Sequence, residues 1–279
     1  MATLAEKKIA LGPVGVWHHG PITPEQAVEI ERLGYGSLWR GNVSTADIDD
    51  SEALLDATEN LVVATGIVNV WKIPAAEAAR AYHRIAVKHP DRFLLGIGTG
   101  HPEADAAYVK PIDALNAYFD VLDEAGVPKE RRALAALGPR VLKLAAERSA
   151  GAHPYLVNPE HTRRARAVLG EGPLLATEQK VFLGTDRAVV REVGDPVLRM
   201  YLGLNNYVSN LRRLGFGDED FAGSGSDRLF DELIVSGEVD RLAAGLRAHL
   251  AAGADHVVVQ ALGEDPLATL RPLAAALGL

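Results

Sequence analysis

Polar and aromatic side chains gather at recurring places in this sequence, each at or just after a short apolar run. They are Trp17, His18 and His19; Arg40, Gly41 and Asn42; Asn69 and Trp71; Gly98-Thr99-Gly100-His101; Gly138-Pro139-Arg140; Pro154-Tyr155; and Glu178-Gln179. Such a set suits a pocket that binds and orients a small molecule. Each residue alone also has a plainer reading, since the ends of strands meet water anyway. The run Gly96-Ile97-Gly98-Thr99-Gly100 starts like a dinucleotide fingerprint, but His101 stands where the third glycine belongs. It reads instead as close backbone approach to something flat or bulky, or as a tight turn that needs positive φ. Gly138-Pro139-Arg140 opens a helix, where free N–H groups and the helix dipole favour a phosphate. Arg140, Lys143 and Arg148 add positive charge there, although helical spacing keeps the three off one face. A solvated helix face is the alternative.

Other chemistries find little support. The chain has no cysteine, which removes disulfides, iron–sulfur clusters, zinc–thiolate sites and thiol nucleophiles. Its nine histidines show no His-Glu-x-x-His spacing, so no metal is expected. There is no Gly-x-Ser-x-Gly elbow and no P-loop pattern. The 37 acidic residues against 29 basic ones, net charge −8, argue against a nucleic-acid partner. The first eight residues lack the pattern of a signal peptide, and no apolar run is long enough to span a bilayer. A soluble cytoplasmic protein without a membrane partner is the expectation.

The elements that must position these residues follow from hydrophobic period. Apolar runs of strand length lie at 9–17, 37–40, 61–70, 92–98, 132–137, 152–157, 174–183 and 256–262. Helical stretches at 24–33, 51–60, 74–88, 104–125, 139–148, 159–170 and 266–277 separate most of them. Thr23 before Pro24 and Asn158 before Pro159 read as helix starts. Eight strands apolar on both faces, alternating with helices in a chain of 279 residues, suit a (β/α)8 TIM barrel. An open doubly wound sheet shares the same alternation. Residues 185–252 then form a long insertion between the seventh and eighth strands, with a Gly/Ser-rich surface loop at 222–226. The segment Tyr201-Leu202-Gly203-Leu204-Asn205-Asn206-Tyr207 is apolar for a surface. It should cover the barrel mouth or form a dimer contact. No low-complexity linker divides the chain, so one domain over 1–279 is expected.

Five segments together carry a resemblance. They are Leu33-Gly34-Tyr35-Gly36-Ser37-Leu38-Trp39; Val63-Ala64-Thr65-Gly66-Ile67-Val68-Asn69-Val70-Trp71; His89-Pro90-Asp91-Arg92-Phe93-Leu94-Leu95-Gly96-Ile97-Gly98; His153-Pro154-Tyr155-Leu156-Val157 with Pro159-Glu160-His161-Thr162; and Ala254-Asp255-His256-Val257. In this order the chain resembles the bacterial-luciferase-like flavin-dependent barrels, and more narrowly the actinobacterial oxidoreductases that use the deazaflavin coenzyme F420.

That resemblance implies a hydride-transfer oxidoreductase acting on a small organic substrate. An FMN-dependent monooxygenase and a flavin-binding protein without turnover are the alternatives. It implies a non-proline cis peptide at Gly66–Ile67, forming a bulge behind the cofactor ring. Gly98, Gly100 and His101 would border the ring. Gly138, Pro139 and Arg140, with the Pro154-Tyr155 loop, would receive the phosphate. Asn69, Tyr155, His18 and Glu178 would offer polar contacts; Trp17 and Trp71, with Trp39 and Asn42, would wall the pocket. Related sugar-phosphate dehydrogenases carry an Asp-His pair after the second strand and a glutamate after the glycine run. This chain has Gly41-Asn42-Val43 and His101 at those places, so it should not inherit that activity. His101 is then the candidate proton donor or acceptor, since an imidazole titrates near neutrality. Binding the cofactor or capping a helix is its other reading. A homodimer is expected.

Overall fold

The computed structural model describes residues 9–100 and 110–279. The first half runs β1 (Val14–His19), α1 (Pro24–Arg32), β2 (Ser37–Val43), α2 (Thr45–Ala57), β3 (Val62–Asn69), α3 (Ala75–Lys88), β4 (Phe93–Gly98) and α4 (Pro111–Glu124). The second runs β5 (Arg132–Leu134), α5 (Pro139–Arg148), β6 (Gly151–Ala152), α6 (Pro159–Leu169) and β7 (Leu174–Leu183). An insertion follows: α7 (Arg187–Leu202), α8 (Asn205–Arg213), α9 (Asp227–Leu233), β8 (Ile234–Gly237) and α10 (Val239–Ala251). The chain closes with β9 (His256–Ala261) and α11 (Pro266–Leu277).

All strand pairings among the described residues are parallel. The order β1-β2-β3-β4-β5-β6-β7-β9 returns to β1, so eight strands close a barrel. Closure settles the choice that periodicity left open between a barrel and an open sheet. Side chains alternate between the two faces of each strand. Trp17, Trp39, Val62, Ala64, Leu94, Ala133, Ala176 and Val258 fill the barrel interior. Their neighbours in sequence, such as Val16, Leu38, Val63 and Leu95, pack outward on the helices. A third cluster, with Leu198, Tyr207, Leu211, Phe230 and Leu233, belongs mainly to the insertion.

Local sequence explains the element ends. Thr23 caps α1 reciprocally: its Oγ1 accepts from Gln26 N, and Gln26 Oε1 accepts from Thr23 N at 2.8 Å. The first strand begins at Val14, later than its apolar run, because Gly12 takes φ +66 and Pro13 has no N–H. At its other end the strand runs on through His18 and His19, which pair with Arg40 and Gly41 of β2. β6 is confined to two residues, because Pro154 cannot donate and Leu156 turns to φ +54. β8, within the stretch read as helix and loop, pairs with residues 180–183 of β7 beyond the place where β6 stops. Four residues beside a helix leave too short a period to register as a strand. No helix among the described residues is long and apolar enough to cross a membrane.

Candidate active site

The mouth of the barrel lies at the C-terminal ends of its strands. Trp17, on β1, spreads its indole across the ends of β2 and β3. A Cβ at Gly41 would come within 2.1 Å of the ring, and one at Gly66 within 2.8 Å. The two glycines therefore make room for the indole, whose Nε1 donates to Gly66 O at 3.3 Å. Trp17 is almost wholly buried and forms the floor of the mouth.

The Gly66–Ile67 peptide is cis, as the resemblance implied. The pairing of β3 with β4 slips between Ala64 and Val68, so Ile67 bulges out of the ladder. Its side chain lies over Gly98, where a Cβ would meet Ile67 Cδ1 at 3.1 Å and Ala135 Cβ at 3.0 Å. The absent side chain of Gly98 is thus accounted for by Ile67. Gly100, at φ +58, faces Asn69 Nδ2 in the same way at 2.4 Å. Asn69 Oδ1 accepts from Trp71 N at 2.9 Å, which turns the chain after β3. Trp71 Nε1 is buried without a protein partner.

β7 supplies a charged wall. Glu178 and Lys180, two apart, share the interior face with Ala176. Both side chains are fully buried, and Lys180 Nζ meets Glu178 Oε1 at 2.9 Å. The other carboxylate oxygen accepts from Leu156 N at 2.8 Å. Lys180 Nζ also stands 3.7 Å from the centre of the Tyr155 ring. Burial pulls the Lys180 ammonium below its ordinary range, opposed by Glu178. Tyr155 donates to Gln260 Oε1 at 2.8 Å and packs against Trp17 at 5.1 Å between rings. Burial raises its phenol well above the ordinary value. From the insertion, Tyr201 lies 5.4 Å from Tyr155 and 4.7 Å from Tyr207. The segment 201–207 therefore covers this side of the mouth.

One layer deeper, the Trp39 ring stacks on His153 at 4.3 Å. His153 Nδ1 donates to Ala176 O, and His256 Nδ1 donates to Gly12 O, both at 2.8 Å. Ser37 Oγ lies 2.8 Å from His256 Nε2 and accepts from Trp39 Nε1 at 3.0 Å. Burial lowers both histidines to about 4, so they are neutral hydrogen-bonding groups near pH 7.

A second polar corner forms where α5 begins. Gly138 is the N-cap of α5, and Arg213, the last residue of α8, brings its Nη2 to 3.6 Å from where a Gly138 Cβ would stand. Arg213 also reaches Asn210 Oδ1 at 3.4 Å. Asn210 is 2% exposed, and its Nδ2 has no protein partner. Arg164 bonds the Arg213 carbonyl oxygen, and His161 Nε2 donates to Leu137 O at 2.9 Å.

The sequence-derived candidates thus divide. Trp17, Gly66, Ile67, Asn69, Gly98, Gly100, Tyr155 and Glu178 converge on the mouth. Gly138 and Pro139 open α5, with Arg140 exposed beside them. His18 shares the outward face of Val16, with Nε2 on Pro21 O at 3.0 Å; His19 is the histidine beside Trp17, 6.2 Å between rings. Arg148 ends α5 at the far side, paired with Asp120 at 2.8 Å and Asp123 at 2.7 Å. It therefore adds no charge to the phosphate corner, contrary to expectation; Arg213 does. The side chain of Asn42 and all of His101 lie outside the described residues. Sequence reasoning missed Lys180, Gln260, Asn210 and Arg213. The first two had a signal, since charged or amide residues at even positions of β7 and β9 must face inward together. A cavity of about 340 Å³ lies at the opposite, N-terminal face, near Leu11, Gly12, Leu174 and His256.

No protein-family model matches the chain, and no curated relative matches it in sequence. Solved structures do. An F420-dependent secondary alcohol dehydrogenase in complex with an F420-acetone adduct superposes with TM-score 0.70 at 13% identity, covering 96% of this chain and 99% of that one. The coenzyme F420-dependent tetrahydromethanopterin reductase of Methanopyrus kandleri gives 0.69 at 15% identity, covering 95% and 98%. The oxygenating constituent of 3,6-diketocamphane monooxygenase of Pseudomonas putida, in complex with FMN, gives 0.68 at 17% identity, covering 95% and 96%. The closed parallel barrel and these likenesses agree: the chain has the (β/α)8 barrel fold of these solved structures.

Proposed function

We propose that the protein is an oxidoreductase that uses coenzyme F420 to move a hydride to or from a small organic substrate. The observation that carries this reading is the mouth itself: Ile67 bulging over Gly98, with the Trp17 indole as floor. A flat ring could rest on Ile67 with its other face open to substrate. F420-dependent enzymes by name are among the solved structures of this fold, beside monooxygenases. The residues present fit such a group. Trp71 Nε1 and Asn210 Nδ2 are buried donors without protein partners, and the start of α5 with Arg213 suits a phosphate. When bound, the deazaflavin supplies the hydride-accepting and hydride-donating centre.

The remaining work belongs to the chain. Ile67 and Trp17 would orient the ring, and orientation accounts for much of such a rate. Tyr155, with Tyr201 above it, would exclude water from one side. Gly138, Pro139 and Arg213 would hold the phosphate, and Arg140 and Arg164 would meet the acidic tail. Glu178 acts within the wall through Lys180. His101, next in sequence to Gly100, is our candidate for proton transfer. Trp71, Asn42 and His19 would border the substrate, whereas His18, turned outward onto Pro21, would not.

A fluorescence titration with F420 and with FMN tests this reading. Binding of the deazaflavin at micromolar concentration supports it; none overturns it. The likeness to an FMN-bound monooxygenase favours a second reading, an FMN-dependent monooxygenase. Oxygen uptake with supplied reduced FMN would establish that alternative. We further propose a cytoplasmic homodimer, for which solution mass is the measurement.

A further inference from the structure

The Glu178–Lys180 pair asks for an explanation that the hydride reading does not give. An ion pair sealed from water is costly to desolvate, and apolar residues of the same size often serve stability as well or better. Both side chains here are fully buried inside the barrel, and neither is aimed at solvent. Their partners show what they hold. Glu178 Oε2 takes the N–H of Leu156 at 2.8 Å, and Lys180 takes the ring face of Tyr155 at 3.7 Å. Two consecutive residues of the loop after β6 are therefore gripped by two charges of β7. That loop needs a grip. β6 is only Gly151–Ala152, Pro154 offers no N–H, and Leu156 sits at φ +54, a region that side-chain-bearing residues avoid. Such a conformation persists only where its surroundings enforce it. The same ammonium lies 5.7 Å from the ring centre of Tyr201, on the insertion. Tyr201 in turn packs on Tyr207.

We propose that Lys180 and Glu178 are positioning residues: a buried charged clamp that fixes Tyr155 and Leu156 at the mouth and keys the 201–207 segment of the insertion to the barrel. The pair does not touch the reacting atoms. It sets the aromatic wall against which a ring-shaped ligand would lie, and that last step alone rests on the proposed function.

The test separates positioning from general stability. The neutral pair Glu178→Gln with Lys180→Met keeps side-chain size, avoids a lone buried charge and leaves an amide oxygen to accept from Leu156 N, so it removes the charges and the Lys180 grip on Tyr155 and Tyr201. Hydrogen exchange is read on the ligand-free protein, over residues 153–158 and 200–208, beside the melting temperature. The clamp predicts local exchange faster by about tenfold or more with a melting temperature unchanged or raised. Unchanged local exchange overturns the proposal. So does a uniform rise in exchange along the chain with a fall in melting temperature, since that marks core packing alone. Two further variants check the geometry. Tyr155→Phe keeps the ring and should hold the 200–208 segment, whereas Tyr155→Leu should release it as the neutral pair does. Adding the neutral pair to Tyr155→Leu should release that segment no further; an additive effect overturns the coupling. Titration of the unaltered protein with FMN and with F420 gives a separate reading. A protein that binds neither cofactor fails the proposed function while leaving the exchange result standing.

Discussion

Trp17 and Gly66 meet across the floor of the mouth: the indole Nε1 donates to the glycine carbonyl oxygen at 3.3 Å, and the ring occupies space that a side chain at Gly66 or Gly41 would claim. The floor is one large ring cut to fit two residues without side chains. Trp17→Ala should destabilise the protein by about 3–5 kcal/mol, the range for deleting a buried aromatic. Gly41→Ala should cost about 1–3 kcal/mol by overpacking, because its Cβ would sit 2.1 Å from the indole. Urea unfolding midpoints check both; a neutral Gly41→Ala would show that the indole can move aside.

Gly98→Ala tests the support under Ile67. The added methyl would lie about 3 Å from both Ile67 and Ala135, and must displace one of them. Stability should fall by only about 1–2 kcal/mol. Affinity for FMN or F420 should fall at least tenfold, because the displaced side chain is the proposed rest for the ring. Fluorescence titration beside thermal melting separates the two effects.

The corner at the start of α5 makes a distinction between arginines. Arg213→Ala should weaken FMN binding by about tenfold, a typical loss for a charge-assisted contact. It should leave riboflavin, which lacks the phosphate, nearly unaffected. Arg148→Ala should change neither, since that residue is paired with Asp120 and Asp123 at the other end of the helix. Equal losses for FMN and riboflavin would move the phosphate elsewhere.

Four buried histidines make stability depend on pH. Burial holds His153, His161 and His256 at about 4 and His249 at about 3. In the unfolded chain they titrate near 6.5. The unfolded state therefore binds more protons in between, and the protein loses stability as pH falls from about 6.5 toward 4, by up to about 1.4 kcal/mol per pH unit for each histidine. Above pH 7 their contribution is complete and flat. His249 sits between Thr162 Oγ1 at 2.7 Å and Gln179 Oε1 at 2.8 Å. His249→Gln should flatten the slope by one proton, visible in urea midpoints between pH 7 and pH 4.5.

Much of the architecture was legible because it rests on local rules. The Thr23-Pro24 and Asn158-Pro159 starts cap helices where the sequence put them, and the Val-rich run before Asn69 is the third strand. Gly98 was legible as a place of close approach, and Gly66 through the resemblance as half of a cis peptide. What approaches them is Trp17 and Ile67, residues of the chain itself. The relationships that escaped join distant segments. Arg213 reaches Gly138 only because the insertion folds back over α5. Lys180 reaches Tyr155 only because β6 is cut short. His18 and His19 were adjacent and chemically alike, and strand register alone turned one outward and the other toward Trp17.

The insertion leaves the barrel from the end of β7 and comes back through β8 to pair with that same strand before α10 and β9 complete the ring. Both of its ends are thus bolted to one stave. For protein engineering this makes the 185–233 excursion an exchangeable cassette. A segment of different length or sequence, grafted between the same two strand ends, would recut the cover of the mouth while the eight-stave hoop stays closed.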